Sequence, residues 1–272
     1  RSWLRLPVVG RTIQPAELCK PACLLFSAWL ASRRGVRLRR LSHALPVLAT
    51  AVFPVLLIGL QPDWGTALIF VPMVLMVVFV GGLSWRWILV GVVVVVLTAP
   101  VAYTTVLGER QRERIRTFVR PPEDISDAGW NVHQSLLAVG SGGFRGKGFM
   151  QGTQHVLGYL PQNVAPTDFI FSVVAEESGF IGASAMALGF LGLILCSLRT
   201  AGCAADDFGA YFCAGAAAML FAHAFINMGM TVRVAPIIGI PLPLVSYGGS
   251  FMLTILCTLG LVQSVHVRRT EP

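Results

Sequence analysis

Charge is what this sequence has least of: Asp, Glu, Lys and Arg make up 12% of its 272 residues, about half of the roughly 25% usual in soluble domains. That shortage excludes a disordered tail, a coiled coil and most soluble enzymes. Cysteine is sparse too. Cys19, Cys23, Cys196, Cys203, Cys213 and Cys257 lie mostly within apolar stretches and form no CxxC or Cys/His spacing, so neither a disulfide-stapled module nor a zinc site is encoded. They read as small packing residues. The five histidines make no HExxH motif. Arg1 to Lys20 lacks the apolar core of a cleavable signal peptide. No tandem repeat or low-complexity linker divides the chain.

Long apolar runs are what the chain has instead, with 55% hydrophobic residues and a mean hydropathy of +0.71. A spanning helix needs about 20 mostly apolar residues. Seven stretches qualify: Glu17–Ser32, Ala44–Leu60, Gly65–Gly82, Trp87–Leu107, Phe169–Leu198, Gly209–Met230 and Phe251–Val267. Barrel strands would alternate apolar and polar residues, and GVVVVVLTAPV does not. The expected fold is therefore an all-α polytopic membrane protein. It is read as a single domain, residues 1–272, with about seven transmembrane helices and one large extracytoplasmic loop, residues 108–168. The fifth stretch, about 45 Å long at 1.5 Å per residue, should overhang a hydrocarbon core of about 30 Å.

The net charge of +8 speaks to topology. Arg33, Arg34, Arg37, Arg39, Arg40, Arg86, Arg199, Arg268 and Arg269 fall in one set of short loops and ends. Only Arg1, Arg5, Arg11 and Arg233 fall in the other. Positive residues mark the cytoplasmic side, which places the RRGVRLRR loop and the C-terminus inside and the N-terminus and long loop outside. The arginine run is a membrane anchor near anionic headgroups; no nucleic-acid partner is expected.

Chemistry-bearing residues sit on the predicted outer side. The glycine cluster GSGGFRGKG (Gly140–Gly148) fails the Walker A pattern, because Ser141 and Gly148 stand where Gly and Ser or Thr are needed. Two readings stay open for it. Its backbone amides, flanked by Arg145 and Lys147, hold a pyrophosphate, or it is a flexible turn with two solvated cations. Glu17 and Lys20 are charged groups in an apolar helix and so candidates by default; they either pair with each other or face a polar cavity. Asp63 in LQPDWGTA is placed to cap the next helix.

Asp168 precedes the fifth span, where it either caps that helix or does chemistry. Glu176 lies eight residues on, about 12 Å along a continuous helix, beyond the roughly 6.5–9.5 Å across which two carboxylates share a glycosidic bond. A two-carboxylate hydrolase is disfavoured; a single base is not. The stretch Val232–Ser250 is apolar yet broken by Pro236, Gly239, Pro241 and Pro243. Such backbone must be buried in protein or line a cavity. It forms either the wall of a site, with Ser246 as a substrate-contact candidate, or a packed re-entrant plug.

Taken together, QPAELCK (Gln14–Lys20), LQPDWGTA, QSLLAVGSGGFRGKG, PTDFIFSVVAEESGFIG (Pro166–Gly182) and PLPLVSYGGS (Pro241–Ser250) resemble the SEDS family (shape, elongation, division and sporulation). GTQHVLGYLPQN and NMGMTVRVAPIIGIPLPLVSYGGS look more like its rod-shape elongation members than its division members. The resemblance implies a peptidoglycan glycosyltransferase of the bacterial cytoplasmic membrane, active on the outer face. It would polymerise lipid II, an undecaprenyl-pyrophosphoryl disaccharide-pentapeptide, beside a class B penicillin-binding protein that crosslinks the strand. It implies Asp168 as the essential acid, and roles for Glu17 and Lys20. Ala16 stands where the family commonly has Ser, and Val164–Pro166 alters the run ahead of Asp168. Family members have about ten spans, so the resemblance implies three helices ahead of Arg1. Arg145, Lys147, Lys20 or a divalent cation such as Mg would stabilise the leaving pyrophosphate. The alternatives are a lipid II flippase with Glu17 and Lys20 in its path, and a non-catalytic scaffold for the penicillin-binding protein.

Overall fold

The computed structural model describes residues 4–5, 12–105, 107–119, 127–160 and 165–269; of the segment noted ahead of Asp168, Val164 lies outside them. Among the described residues the chain forms α1 (Pro15–Ser32), α2 (Leu41–Gly59), α3 (Trp64–Val80), α4 (Trp85–Thr105), α5 (Glu109–Val119), α6 (Asp127–Ser141), α7 (Thr153–Val156), α8 (Ile170–Gly202), α9 (Asp207–Thr231) and α10 (Gly249–Val267). A short antiparallel ribbon, β1 (Leu4–Arg5) with β2 (Thr12–Ile13), precedes them, pairing Leu4 with Ile13. The all-α polytopic membrane architecture expected from the sequence is the one found. Helices α2, α4, α8, α9 and α10 are long and apolar enough to cross a bilayer, and α3 is a shorter apolar helix of 17 residues. Residues read as one outer loop contain α5, α6 and α7.

The chain divides into two compact units, Arg1–Thr105 with Gly192–Ala222 and Gly249–Pro272, and Val106–Leu191 with His223–Gly248. In the first, α1 packs on α2, α3 and α10 around Leu24, Ala28, Ile69, Phe70, Met73 and Ile255, all buried. Small residues let helix backbones approach closely where no hydrophobic drive separates helix from lipid. Gly215 of α9 shows this: a Cβ there would lie 2.3 Å from Leu24 Cδ1 and 3.0 Å from Val77 Cγ2. Asp63 caps α3 as its position predicts, accepting from Thr66 N at 3.2 Å and Thr66 Oγ1 at 3.0 Å, and Gln14 Nε2 adds a bond of 2.8 Å.

The second unit is built from α5, α6, α7, the Ile170–Leu191 part of α8, the end of α9 and the loop that follows it. One cluster joins Val132, Leu160, Ala165, Phe169 and Val173; another joins Phe190, Ala224 and Leu242. α8 does not overhang as one straight rod. Gly179, at φ 65° and ψ −162°, breaks it. Phe180–Gly202 alone is about 34 Å long at 1.5 Å per residue, enough for the hydrocarbon core, and the break re-aims the two turns before it.

Candidate active site

Asp168 sits between Thr167 and the start of α8, half-buried. It is not the flanking residue of the helix: Ile170 opens α8, and Phe169 O accepts from Ser172 N at 3.1 Å. Loop backbone surrounds it. Asn227, a buried polar residue near the end of α9, donates from Nδ2 to Asp168 O at 2.9 Å and to Ile240 O at 2.7 Å. Ser246, also buried, accepts from Leu242 N at 2.8 Å and gives its proton to Thr167 O. Tyr247 N donates to Pro166 O at 2.9 Å. The Val232–Ser250 stretch is thus tied to the backbone of the segment that carries the acid.

Gly239 closes on the carboxylate. Its φ is +74°, and a Cβ there would stand 3.2 Å from Asp168 Oδ2; only glycine combines that conformation with that approach at low cost. Burial pushes the Asp168 carboxyl above the ordinary carboxylate value, against the opposing pull of the Arg114 guanidinium and the Thr167 hydroxyl. Arg114, exposed on α5, bonds Ile238 O at 3.2 Å. The arrangement offers one desolvated carboxylate that can take a proton, with a cation in electrostatic range.

Glu176 has different company. Its side chain has no exposed surface, and Oε1 accepts from Lys147 Nζ at 2.6 Å, Thr153 Oγ1 at 3.0 Å and Gln154 N at 3.1 Å. The glycine cluster lies on α8 at its break. Lys147 N donates to Glu176 O at 3.0 Å and Gly148 N to Glu177 O at 2.9 Å. In return Phe180 N donates to Gly143 O at 2.9 Å and Ile181 N to Phe144 O at 3.2 Å. The amides of Lys147 and Gly148, considered for a pyrophosphate, are therefore engaged by helix carbonyls. Arg145 is exposed.

In the first unit Glu17 and Lys20 form a buried ion pair, Nζ to Oε2 2.8 Å, with Lys20 Nζ 5.4 Å from the Phe251 ring centre. That unit also carries an apolar groove of about 740 Å³ lined by residues including Pro72, Met76, Phe79, Trp85, Leu89 and Phe221. Among the described residues no three His, Cys, Asp or Glu side chains converge on a point that suits a metal ion. No step is routed through a metal ion.

Sequence reading did not single out Arg114, Asn227, Gly179, Thr153 or Gln154. Asn227 carried a signal, since an amide inside an apolar span needs partners; the others carried none.

Fold and site together define a polytopic helical membrane protein with a half-buried carboxylate beside a loop broken by proline and glycine. The family model of the FtsW, RodA and SpoVE cell cycle proteins matches residues 1–271, and the chain belongs to that family, the SEDS proteins. The peptidoglycan glycosyltransferase MrdB of Escherichia coli K12 is 39% identical over 267 residues, covering 98% of this chain and 71% of the relative. A probable peptidoglycan glycosyltransferase FtsW of Geobacter sp. strain M18 is 38% identical over 268 residues, with 98% and 71% covered. Among solved structures, a chain from a peptidoglycan synthase complex aligns with a TM-score of 0.79 at 32% identity, covering 100% of this chain and 74% of that one. The rod shape determining protein RodA of Thermus thermophilus aligns with a TM-score of 0.67 at 30% identity, with 100% and 71% covered.

Proposed function

We propose that this chain is a peptidoglycan glycosyltransferase of the bacterial cytoplasmic membrane that polymerises lipid II on the outer face, with Asp168 as general base. The enzyme class rests on the relatives named for that activity. The observation that carries the assignment of the base is the Asp168 carboxyl, raised by burial, on a backbone segment held by the Asn227 and Ser246 side chains. A base with a raised value is a stronger proton acceptor, nearer the operating pH.

Making a β-1,4 link from an α-pyrophosphoryl donor inverts the anomeric carbon, which needs one base and no covalent intermediate. Asp168 takes the proton of the acceptor 4-hydroxyl as its oxygen bonds to the donor C1. The bond from C1 to the pyrophosphate oxygen breaks, and undecaprenyl pyrophosphate leaves with the electron pair. Pyrophosphate needs positive charge rather than an acid. Lys20 and Lys147 are each neutralised by a carboxylate, which leaves the exposed Arg145 for this role among the cations singled out in the sequence. Glu17 and Lys20 hold α1 together through their buried pair. Ser246 contributes by fixing the loop at Thr167. The apolar groove offers an undecaprenyl chain a wall without charged groups. A class B penicillin-binding protein is the proposed partner, in keeping with the synthase complex among the structural relatives.

The test is polymerisation of labelled lipid II by the purified full-length protein with its partner, read as a glycan ladder. Asp168→Asn should lower the rate by about 10²–10⁴-fold, the usual contribution of general base catalysis. An undiminished ladder would remove Asp168 from the chemistry. Translocated lipid II without any polymer from the parent protein would favour a flippase.

A further inference from the structure

We propose that Glu176 is a positioning residue: with Lys147 it latches the glycine loop over the break in α8 and so fixes the segment that carries Asp168. The inference rests on the reading of Asp168 given above.

A helix broken at Gly179 leaves carbonyls on one side and amides on the other without helical partners. The glycine loop supplies all four bonds that bridge the gap: Lys147 N and Gly148 N to the carbonyls of Glu176 and Glu177, Gly143 O and Phe144 O to the amides of Phe180 and Ile181. The approach leaves no room for a side chain. A Cβ at Gly142 would lie 2.0 Å from Ala175 O, one at Gly146 2.1 Å from Glu177 O, and one at Gly179 2.3 Å from Gly146 N. Backbone contact alone gives the loop a seat. The Glu176 carboxylate makes it a latch, because three donors drawn from Lys147, Thr153 and Gln154 converge on Oε1. Oε2 has no hydrogen-bond partner among the described residues and faces Gly152, where a Cβ would stand 2.9 Å away.

The mechanical consequence follows from the break. Residues 168–178 are not fixed by continuity with the lower helix. Beside the packing of Phe169 and Val173, they are held at one end by Asn227, Ser246 and Tyr247 and at the other by the latch. Releasing the latch frees one end of the segment on which the base is mounted, and a misplacement of about 1 Å costs a catalyst up to about 10²-fold.

The experiment uses the full-length protein with its partner and compares the parent with Glu176→Gln and Thr153→Val. Glu176→Gln keeps an acceptor oxygen and loses the charge; Thr153→Val removes one donor and leaves the ion pair, which keeps the idea open to refutation if the first variant does not fold. Two readouts are taken: hydrogen exchange of the Lys147 and Gly148 amides, and kcat against KM for lipid II. Both variants should exchange these amides at least several-fold faster. Glu176→Gln should lower kcat about 10-fold or more with KM unchanged. Unchanged exchange overturns the latch, and a raised KM with kcat intact overturns positioning in favour of substrate contact. Asp168→Asn run in parallel separates the two ideas: if it still polymerises, the general-base reading falls while the exchange comparison still decides the latch.

Discussion

Asp168 and Glu176 are carboxylates eight residues apart, and their surroundings have been built in opposite ways. Asp168 meets a glycine at one oxygen and an arginine at a distance, so burial dominates and its carboxyl rises. Glu176 is fully enclosed and receives three donors on one oxygen. Enclosure with few donors leaves a group that gains by accepting a proton; enclosure with many donors makes a strut. In the two roles proposed above, the same side-chain chemistry serves reaction in one place and mechanics in the other, and the number of donors distinguishes them.

The strongest way to break this contrast is to keep the glycine loop from seating at all. Gly146→Ala puts a methyl 2.1 Å from Glu177 O at a residue whose φ is +78°. It should cost several kcal/mol, near the ~4–5 kcal/mol upper range for single substitutions, seen as loss of folded, monodisperse protein. Gly140→Ala, with nothing within 4 Å of the added Cβ, is the matched control and should be tolerated.

Thermal stability then separates the two carboxylates by sign. Glu176→Gln should lower Tm, because a donor network of that kind is worth about 1–3 kcal/mol when a charged partner is removed. Asp168→Asn should hold or raise Tm at neutral pH. Its carboxyl is raised in the folded state, so ionisation costs stability as pH climbs through that value, and the neutral amide escapes the cost. The advantage of Asn should shrink on acidification, as the native carboxyl takes its proton. A drop in Tm for Asp168→Asn at neutral pH would mean that the carboxylate is structural.

The smallest effect belongs to Arg114. Its charge lowers the Asp168 carboxyl against the effect of burial, so Arg114→Gln should move the acid limb of kcat/KM to higher pH. Because Arg114 is exposed and screened, a shift of a few tenths of a pH unit is expected. Added salt should move the parent in the same direction, and a limb that stays put would unlink the two residues.

The helices and the cap at Asp63 were legible in the sequence because hydropathy and short motifs are local. A run such as GVVVVVLTAPV can only be buried or lipid-facing, and Asp63 before an apolar run can cap it. The break at Gly179 was not legible: glycine is common inside spanning helices, and SVVAEESGFIGASAMALGF carries no other mark of interruption. What breaks the helix is a second segment, some thirty positions earlier, that fits against it. The glycine cluster was visible for the same reason that it was misleading. Its composition suits close backbone approach to any acceptor, and only the fold specifies that the acceptors are helix carbonyls. Arg114 sat in ERQRERIRTFV among other charges with nothing to mark it, whereas Asn227 stood alone in an apolar helix and called for a partner on those grounds.

The interruption in α8 also sets an order of events during biogenesis. Phe180–Gly202 is long enough to cross the hydrocarbon core on its own, with only its first amides waiting for partners. The two turns above the interruption cannot settle until the glycine loop arrives to meet the exposed carbonyls and amides. That loop is translated before α8, so its partner emerges into a place already prepared. Asp168 heads the last piece to lock, so its surroundings are complete only when the glycine loop is seated.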